Sequence, residues 1–162
     1  MTTALPTALP TALPRLYERL GGIYGIAGAV DVLVNRLYDN TSANRNPAVA
    51  EFHALHGHAG FTFYVTAWSI EKTGGPACCP GRDMTAAHAH LAVTDTDFDI
   101  VATEIAATLH DVGVPTQEHR DMAIIESYRP QVVSIPAQVD RSGPVDDAVP
   151  VWHARSVETV SA

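Results

Sequence analysis

Residues 94–113 read TDTDFDIVATEIAATLHDVG, and their periodicity is the strongest structural signal in the chain. Phe98, Val101, Ile105, Leu109 and Val112 recur at steps of three and four, which puts them on one face of an α-helix over 95–112. Thr94 offers a hydroxyl to cap the first orphan amides, Asp95 and Asp97 complement the positive end of the helix dipole, and Gly113 followed by Pro115 stops the helix. The same spacing recurs upstream. In 22–38 it runs through Ile23, Ile26, Val30, Leu33, Val34, Leu37 and Tyr38; in 59–72 it runs through Phe61, Val65 and Trp68, with Tyr64 beside the stripe. A helix over 84–91 places Met84, Ala87, His88 and Leu91 on one face. A last helix, about 117–132, carries Met122, Ile125 and Tyr128, flanked by Ile124 and bent or ended by Pro130. The runs 39–47 (DNTSANRNP) and 74–81 (GGPACCPG) read as loops. No segment alternates with period two over a convincing length, so the fold class is all-α.

The chain has 162 residues, which fits one domain. Residues 1–14 repeat Thr-Ala-Leu-Pro three times, and proline at every fourth position blocks both helix and sheet ladders, so a disordered, polyproline-like arm is expected there. From 136 to 162 the chain is again loop-like, with Pro136, Gly143, Pro144 and Pro150, and Trp152 as its one large apolar residue. The expected folded unit is therefore 15–135. Apolar residues make up 46% of the chain, enough for a sizeable core, and 18 acids against 10 bases leave a net charge of -8. That balance argues against nucleic acid and against anionic membrane surfaces. No apolar run approaches the ~20 residues of a membrane span, and the start lacks the layout of a signal peptide. Two adjacent cysteines, Cys78 and Cys79, make no disulfide framework, so a reducing, cytoplasmic setting is expected.

Eight histidines invite a metal reading. His53, His56 and His58 cluster, but no cysteine at ligand spacing completes a zinc set, and the cluster reads as a polar, histidine-rich loop. His88 falls on the small, apolar face of its helix while His90 points off it; His88 is either a core histidine with satisfied ring nitrogens or a ligand. No dinucleotide, P-loop, nucleophile-elbow or His-Glu-x-x-His motif is present.

Several short strings, taken in order, carry more. Leu16-Tyr17-Glu18-Arg19-Leu20-Gly21-Gly22, then Gly74-Gly75-Pro76, Gly81-Arg82-Asp83-Met84, Met84-Thr-Ala-Ala-His88, Leu91 to Asp99, and Ala107 through Pro115 resemble the truncated haemoglobins, best the group I (N-type) members, across about 15–133. The resemblance implies a globin-like two-over-two helical sandwich, haem (iron protoporphyrin IX) as cofactor, and His88 as the axial iron ligand. Ala86 and Ala87 would let a flat macrocycle approach, with Met84, Phe98, Val101 and Ile105 on the proximal side.

On the distal side the sequence departs from the family. Val34 stands where the family usually has a tyrosine that hydrogen-bonds bound oxygen, with Tyr38 one turn on. Val65 stands at the common distal glutamine, with Phe61 and Trp68 a turn to either side. Either Phe52 or His53 occupies the position of the phenylalanine that wedges against the haem. Tyr64 is a hydrogen-bond donor to the ligand or a boundary tyrosine; His53 is a donor, a sixth ligand or an edge residue. The resemblance implies reversible binding of a diatomic gas (oxygen, NO or CO), as in oxygen transport, by a monomer or weak homodimer. Nitric-oxide dioxygenase chemistry with a reductase, or peroxidase-like activity, ranks second because the distal donors are few. Two alternatives are a globin module with weakened or lost haem binding that acts in regulation or interaction, and a non-haem metal protein using His53, His56 and His58.

Overall fold

The computed structural model describes residues 14–115 and 123–133. The Thr-Ala-Leu-Pro repeats as far as Leu13, Met122, and the tail with Trp152 lie outside the described residues. Within them the chain is all-α. Helix α1 is Leu16–Arg19, α2 Gly22–Asp39, α3 Pro47–Leu55, α4 His58–Lys72, α5 Met84–His88, α6 Asp95–Asp111, α7 Ala123–Ser127 and α8 Arg129–Val132, with a tighter turn at Ala43–Arg45.

Two packed clusters organise these helices. The first joins α2 and α4: Ile26, Val30, Val34 and Ile70 are buried, and Tyr17, Leu20, Tyr38, Phe61 and Val65 pack around them. Val34 is only 1% exposed, and burial of a valine side chain contributes roughly 1.5–3 kcal/mol. The second cluster sets Val93, Phe98 and Val132 beneath Met84, Leu91, Ile125 and Tyr128. Helix α2 contacts α4 most broadly and crosses α6, while α5 takes its main contacts from α8 rather than from α4.

Helix ends follow from local chemistry. In α6 the Thr94 hydroxyl accepts from the Asp97 amide, and the Asp97 carboxylate accepts from the Thr94 amide at 2.9 Å. Gly113, at φ +78°, then closes the helix, and Val114 N–H donates to Leu109 O. At Gly75 a Cβ would lie 2.6 Å from the Tyr17 ring and 2.7 Å from the Ile70 carbonyl, so only glycine lets α1 sit against the end of α4.

Three sequence expectations are corrected. Residues 47–55 are helical: Asn46 caps α3 by accepting from the Ala48 and Val49 amides, and Pro47 starts it. His53 therefore stands on a helix, not in a histidine-rich loop. Helix α5 ends at His88 rather than Leu91, and Ala92 takes a positive φ of 48°. The described part of the last helix is two pieces, broken at Tyr128, with Pro130 in the first turn of α8, where its missing N–H costs no hydrogen bond.

Candidate functional site

The short helix α5 positions His88. The Asp83 side chain caps it by accepting from Ala86 N–H at 3.0 Å. One turn on, His88 Nδ1 lies 2.9 Å from the Met84 carbonyl. A carbonyl can only accept, so Nδ1 carries the proton and Nε2 keeps its lone pair. Nε2 makes no hydrogen bond among the described residues. Burial lowers the His88 pKa, and the hydrogen bond to Met84 opposes this more weakly; the ring is neutral at pH 7, the form a metal accepts. Met84 anchors α5 by packing on the Val93–Phe98–Val132 cluster.

Helix α4 presents Phe61, Val65 and Trp68 at helical spacing, all half-buried. Phe61 and Val65 back onto the core around Val34, which is itself covered by its neighbours. The Trp68 ring meets Tyr128 edge-on, centroids 5.0 Å apart. Tyr64 sits beside the stripe, with its ring edge-on to Phe63 and against the bare backbone of Gly81.

Helix α3 brings Phe52 and His53 to the same end of the molecule. The His53 ring stacks on Tyr38 at 4.1 Å, and its Nδ1 pairs with Asn44 Oδ1 at 2.8 Å. His58 lies against the Tyr38 ring at 3.9 Å and pairs with Asn35. Phe52 stacks on His56 at 4.4 Å and meets Phe61 edge-on at 5.5 Å. The Tyr38 hydroxyl donates to the His56 carbonyl at 3.0 Å, and burial raises its pKa. Burial also lowers the His53 pKa, with a smaller contribution from His58. Each of the three histidines has its Nδ1 engaged by an oxygen. Among the described residues no three histidine, cysteine or acidic side chains converge as a metal ligand set.

Behind the site, Phe98 is buried beneath Arg129, whose guanidinium lies 4.3 Å from the ring centroid and pairs with Asp95, Asp99 and Glu126. Val101 and Ile105 are half-buried on the same helix. An apolar cavity of about 170 Å³ adjoins Val65, Trp68 and Ile105 and runs between Ile26, Val30 and Leu109. Asn46, which sequence reasoning passed over, ties the two sides together: its amide donates to the Leu91 carbonyl at 3.0 Å and to Asp97 Oδ2 at 3.2 Å. The Asn-Pro pair ahead of an apolar run was the available signal for this cap.

These residues fit a haem. His88 holds one ring nitrogen on its own helix and leaves the other as a donor atom, which is how a ligating imidazole is oriented. Helices α3 and α5 bury none of their residues despite their apolar composition. The apolar stripe of α4 and the His88 face of α5 do not supply each other's main packing, as expected of surfaces shaped to hold a flat apolar group.

No family model matches the chain. The group 1 truncated haemoglobin GlbN of Synechocystis sp. is 30% identical over 114 residues, covering 68% of this chain and 87% of that protein. The 2/2 haemoglobin from Synechococcus sp., solved in the cyanomet state with covalently attached haem, superposes with a TM-score of 0.66 at 26% identity, over 74% of this chain and 98% of that one. A variant of the truncated haemoglobin from Tetrahymena pyriformis, in the Fe(III) form, gives a TM-score of 0.66 at 25% identity, over 75% of this chain and 100% of that one.

Proposed function

The chain belongs to the truncated haemoglobin family, and on that footing we propose that His88 is the axial ligand of a haem at which the protein reversibly binds a diatomic gas. The observation that carries the assignment of His88 is its uncommitted ring: Nδ1–H is held by the Met84 carbonyl, and among the described residues Nε2 makes no hydrogen bond and the ring meets no aromatic side chain. Haem supplies an iron centre that takes up and releases such a ligand. The chain's residues do the rest. The Met84 carbonyl fixes the His88 ring and makes the imidazole more basic. Phe61, Val65, Trp68 and Met84 exclude water from the two faces. Phe52 is the wedge residue on this reading, because it is apolar and meets Phe61 of the α4 stripe at 5.5 Å, whereas the His53 ring stacks on Tyr38 and is held by Asn44.

Reversible binding ranks ahead of nitric-oxide dioxygenation because the distal side is poor in donors. Val34, Phe61 and Val65 have none. The Tyr38 hydroxyl is spent on the His56 carbonyl, and neutral His53, with its proton on Nδ1, offers only an acceptor at Nε2. Tyr64, beside the α4 stripe, and the Trp68 indole N–H are the donor candidates on that helix. A hydrogen bond to a charged group is worth about 1.5–3 kcal/mol, so a single such donor would change ligand affinity roughly ten- to a hundred-fold. The cavity beside Val65 suits a small apolar gas and supports a route of supply through the protein. Likeness to a group 1 member supports assignment to group I, and the unbridged thiols Cys78 and Cys79 fit a reducing, cytoplasmic setting.

The test is the absorption spectrum of the chain expressed with haem supplied. Wild type shows a Soret band; His88→Ala loses it, and added imidazole restores it in part. Absence of haem uptake by wild type overturns the reading.

A further inference from the structure

The loop between α4 and α5 holds the chain's two cysteines side by side in the run Cys78-Cys79-Pro80-Gly81. Both thiols are unbridged; Cys78 is exposed and Cys79 half-buried. The loop lies along one face of α4, on which Tyr64, Ala67 and Glu71 follow at three- and four-residue steps. Cys78 Sγ is 3.7 Å from the Ala67 carbonyl, and Cys79 N–H donates to Glu71 Oε2 at 3.3 Å. A Cβ on Gly81 would stand 3.5 Å from Cys79 Sγ and 3.3 Å from the Tyr64 ring, so sulfur and ring crowd the same bare backbone. Lys72, paired with Glu71 at 3.1 Å, lies within electrostatic range of Cys79.

We propose that Cys78 and Cys79 form a peroxide-sensitive dithiol, a reversible modification site coupled to the α4 face that carries Tyr64. Hydroperoxide meets the exposed Cys78 first. Its sulfur attacks one peroxide oxygen, the O–O bond breaks, and the thiol proton leaves with the departing hydroxide as water, giving the sulfenic acid. The Cys79 sulfur then attacks the Cys78 sulfur; the S–O bond breaks, a second water leaves, and a disulfide forms. The two thiols give up two electrons, and one hydrogen peroxide is reduced to two waters. Adjacent Cα atoms are about 3.8 Å apart, short of the roughly 4.4–6.8 Å usual for a disulfide. The ring so formed is strained and easily reduced, the property of labile and regulatory disulfides rather than structural ones. Closing it draws Cys78 Sγ away from Ala67 and rearranges the backbone on which the Tyr64 ring rests.

The thiol chemistry does not depend on haem, so the full-length chain is treated with one equivalent of hydrogen peroxide both haem-free and haem-loaded. Peptide mapping without reductant is expected to show the Cys78–Cys79 peptide lighter by two hydrogens, reversed by dithiothreitol and absent in Cys78→Ser and Cys79→Ser. A disulfide-linked dimer, a sulfinic acid on Cys78 with Cys79 intact, or no reaction in the haem-free chain overturns the proposal. Tyrosine ring NMR, with Tyr64 assigned through Tyr64→Phe, reads the coupling: the Tyr64 signal moves on oxidation, and a stationary signal overturns that part.

Discussion

In His88 the Nδ1–H is held by the carbonyl of its own helix, while in His53 the same nitrogen is held by the side chain of Asn44 and the ring lies nearly flat on Tyr38, at an interplanar angle of 22°. Both rings are half-buried, and burial lowers both pKa values. The difference is what the rest of the ring does. Stacking uses one face of His53 as packing surface between α2 and α3, so the residue is part of the wall. His88 has no aromatic contact among the described residues, and its remaining nitrogen is the group left to act. On the proposed assignment, what singles out His88 from His53 is less the tautomer, which the two share, than the absence of any other use for its ring among the described residues.

The largest effect that bears on this contrast is the pair of alanine substitutions. His88→Ala abolishes haem uptake, whereas His53→Ala retains a Soret band; equal loss in both, read by absorption titration with haemin, would erase the distinction. Asn46→Ala comes next, because it removes the cap of α3 together with the links to Leu91 and Asp97. Loss of a cap alone costs about 1–2 kcal/mol, so the urea midpoint should fall with an unchanged m-value. Tyr38→Phe keeps the ring stack and deletes the bond to the His56 carbonyl; about 1 kcal/mol is expected, measured by the same titration.

The smallest effect is on pH dependence. His53 and His88 have folded-state pKa values below the ordinary value of 6.5. The unfolded chain therefore binds more protons as pH falls through that value. Stability of the haem-free protein is fully present above about 6.5 and declines as pH drops toward the folded pKa values. In His53→Phe the melting temperature should fall less steeply between pH 7 and 5, and an unchanged slope would remove His53 from this account.

Legibility in the sequence followed the range of the interactions. Helix α6 was readable because its start and stop are local: Thr94, Asp97 and Gly113 act within a turn of themselves. His88 was readable as one of two things, and the Met84 carbonyl, also local, favours one of them. Helix α3 was missed although Asn46-Pro47 announced it, because its apolar residues make no clean stripe and none of them is buried. The tie from Asn46 to Leu91, the contacts of Tyr38 with His53 and His58, and the meeting of Trp68 with Tyr128 join residues far apart in sequence. Side-chain type permits each of these pairings and many others, and only the assembled backbone selects among them.

Helix α5 leans on α8, a segment some way further along the chain. During synthesis the α2–α4 core can assemble as soon as Lys72 has cleared the ribosome, but the helix bearing His88, with Val93 and Phe98 already beside Met84, lacks its main helical neighbour until Arg129–Val132 emerges. If His88 holds the cofactor as proposed, the helix that carries it is fully braced only late in synthesis, with the arrival of four residues that need not touch the cofactor themselves.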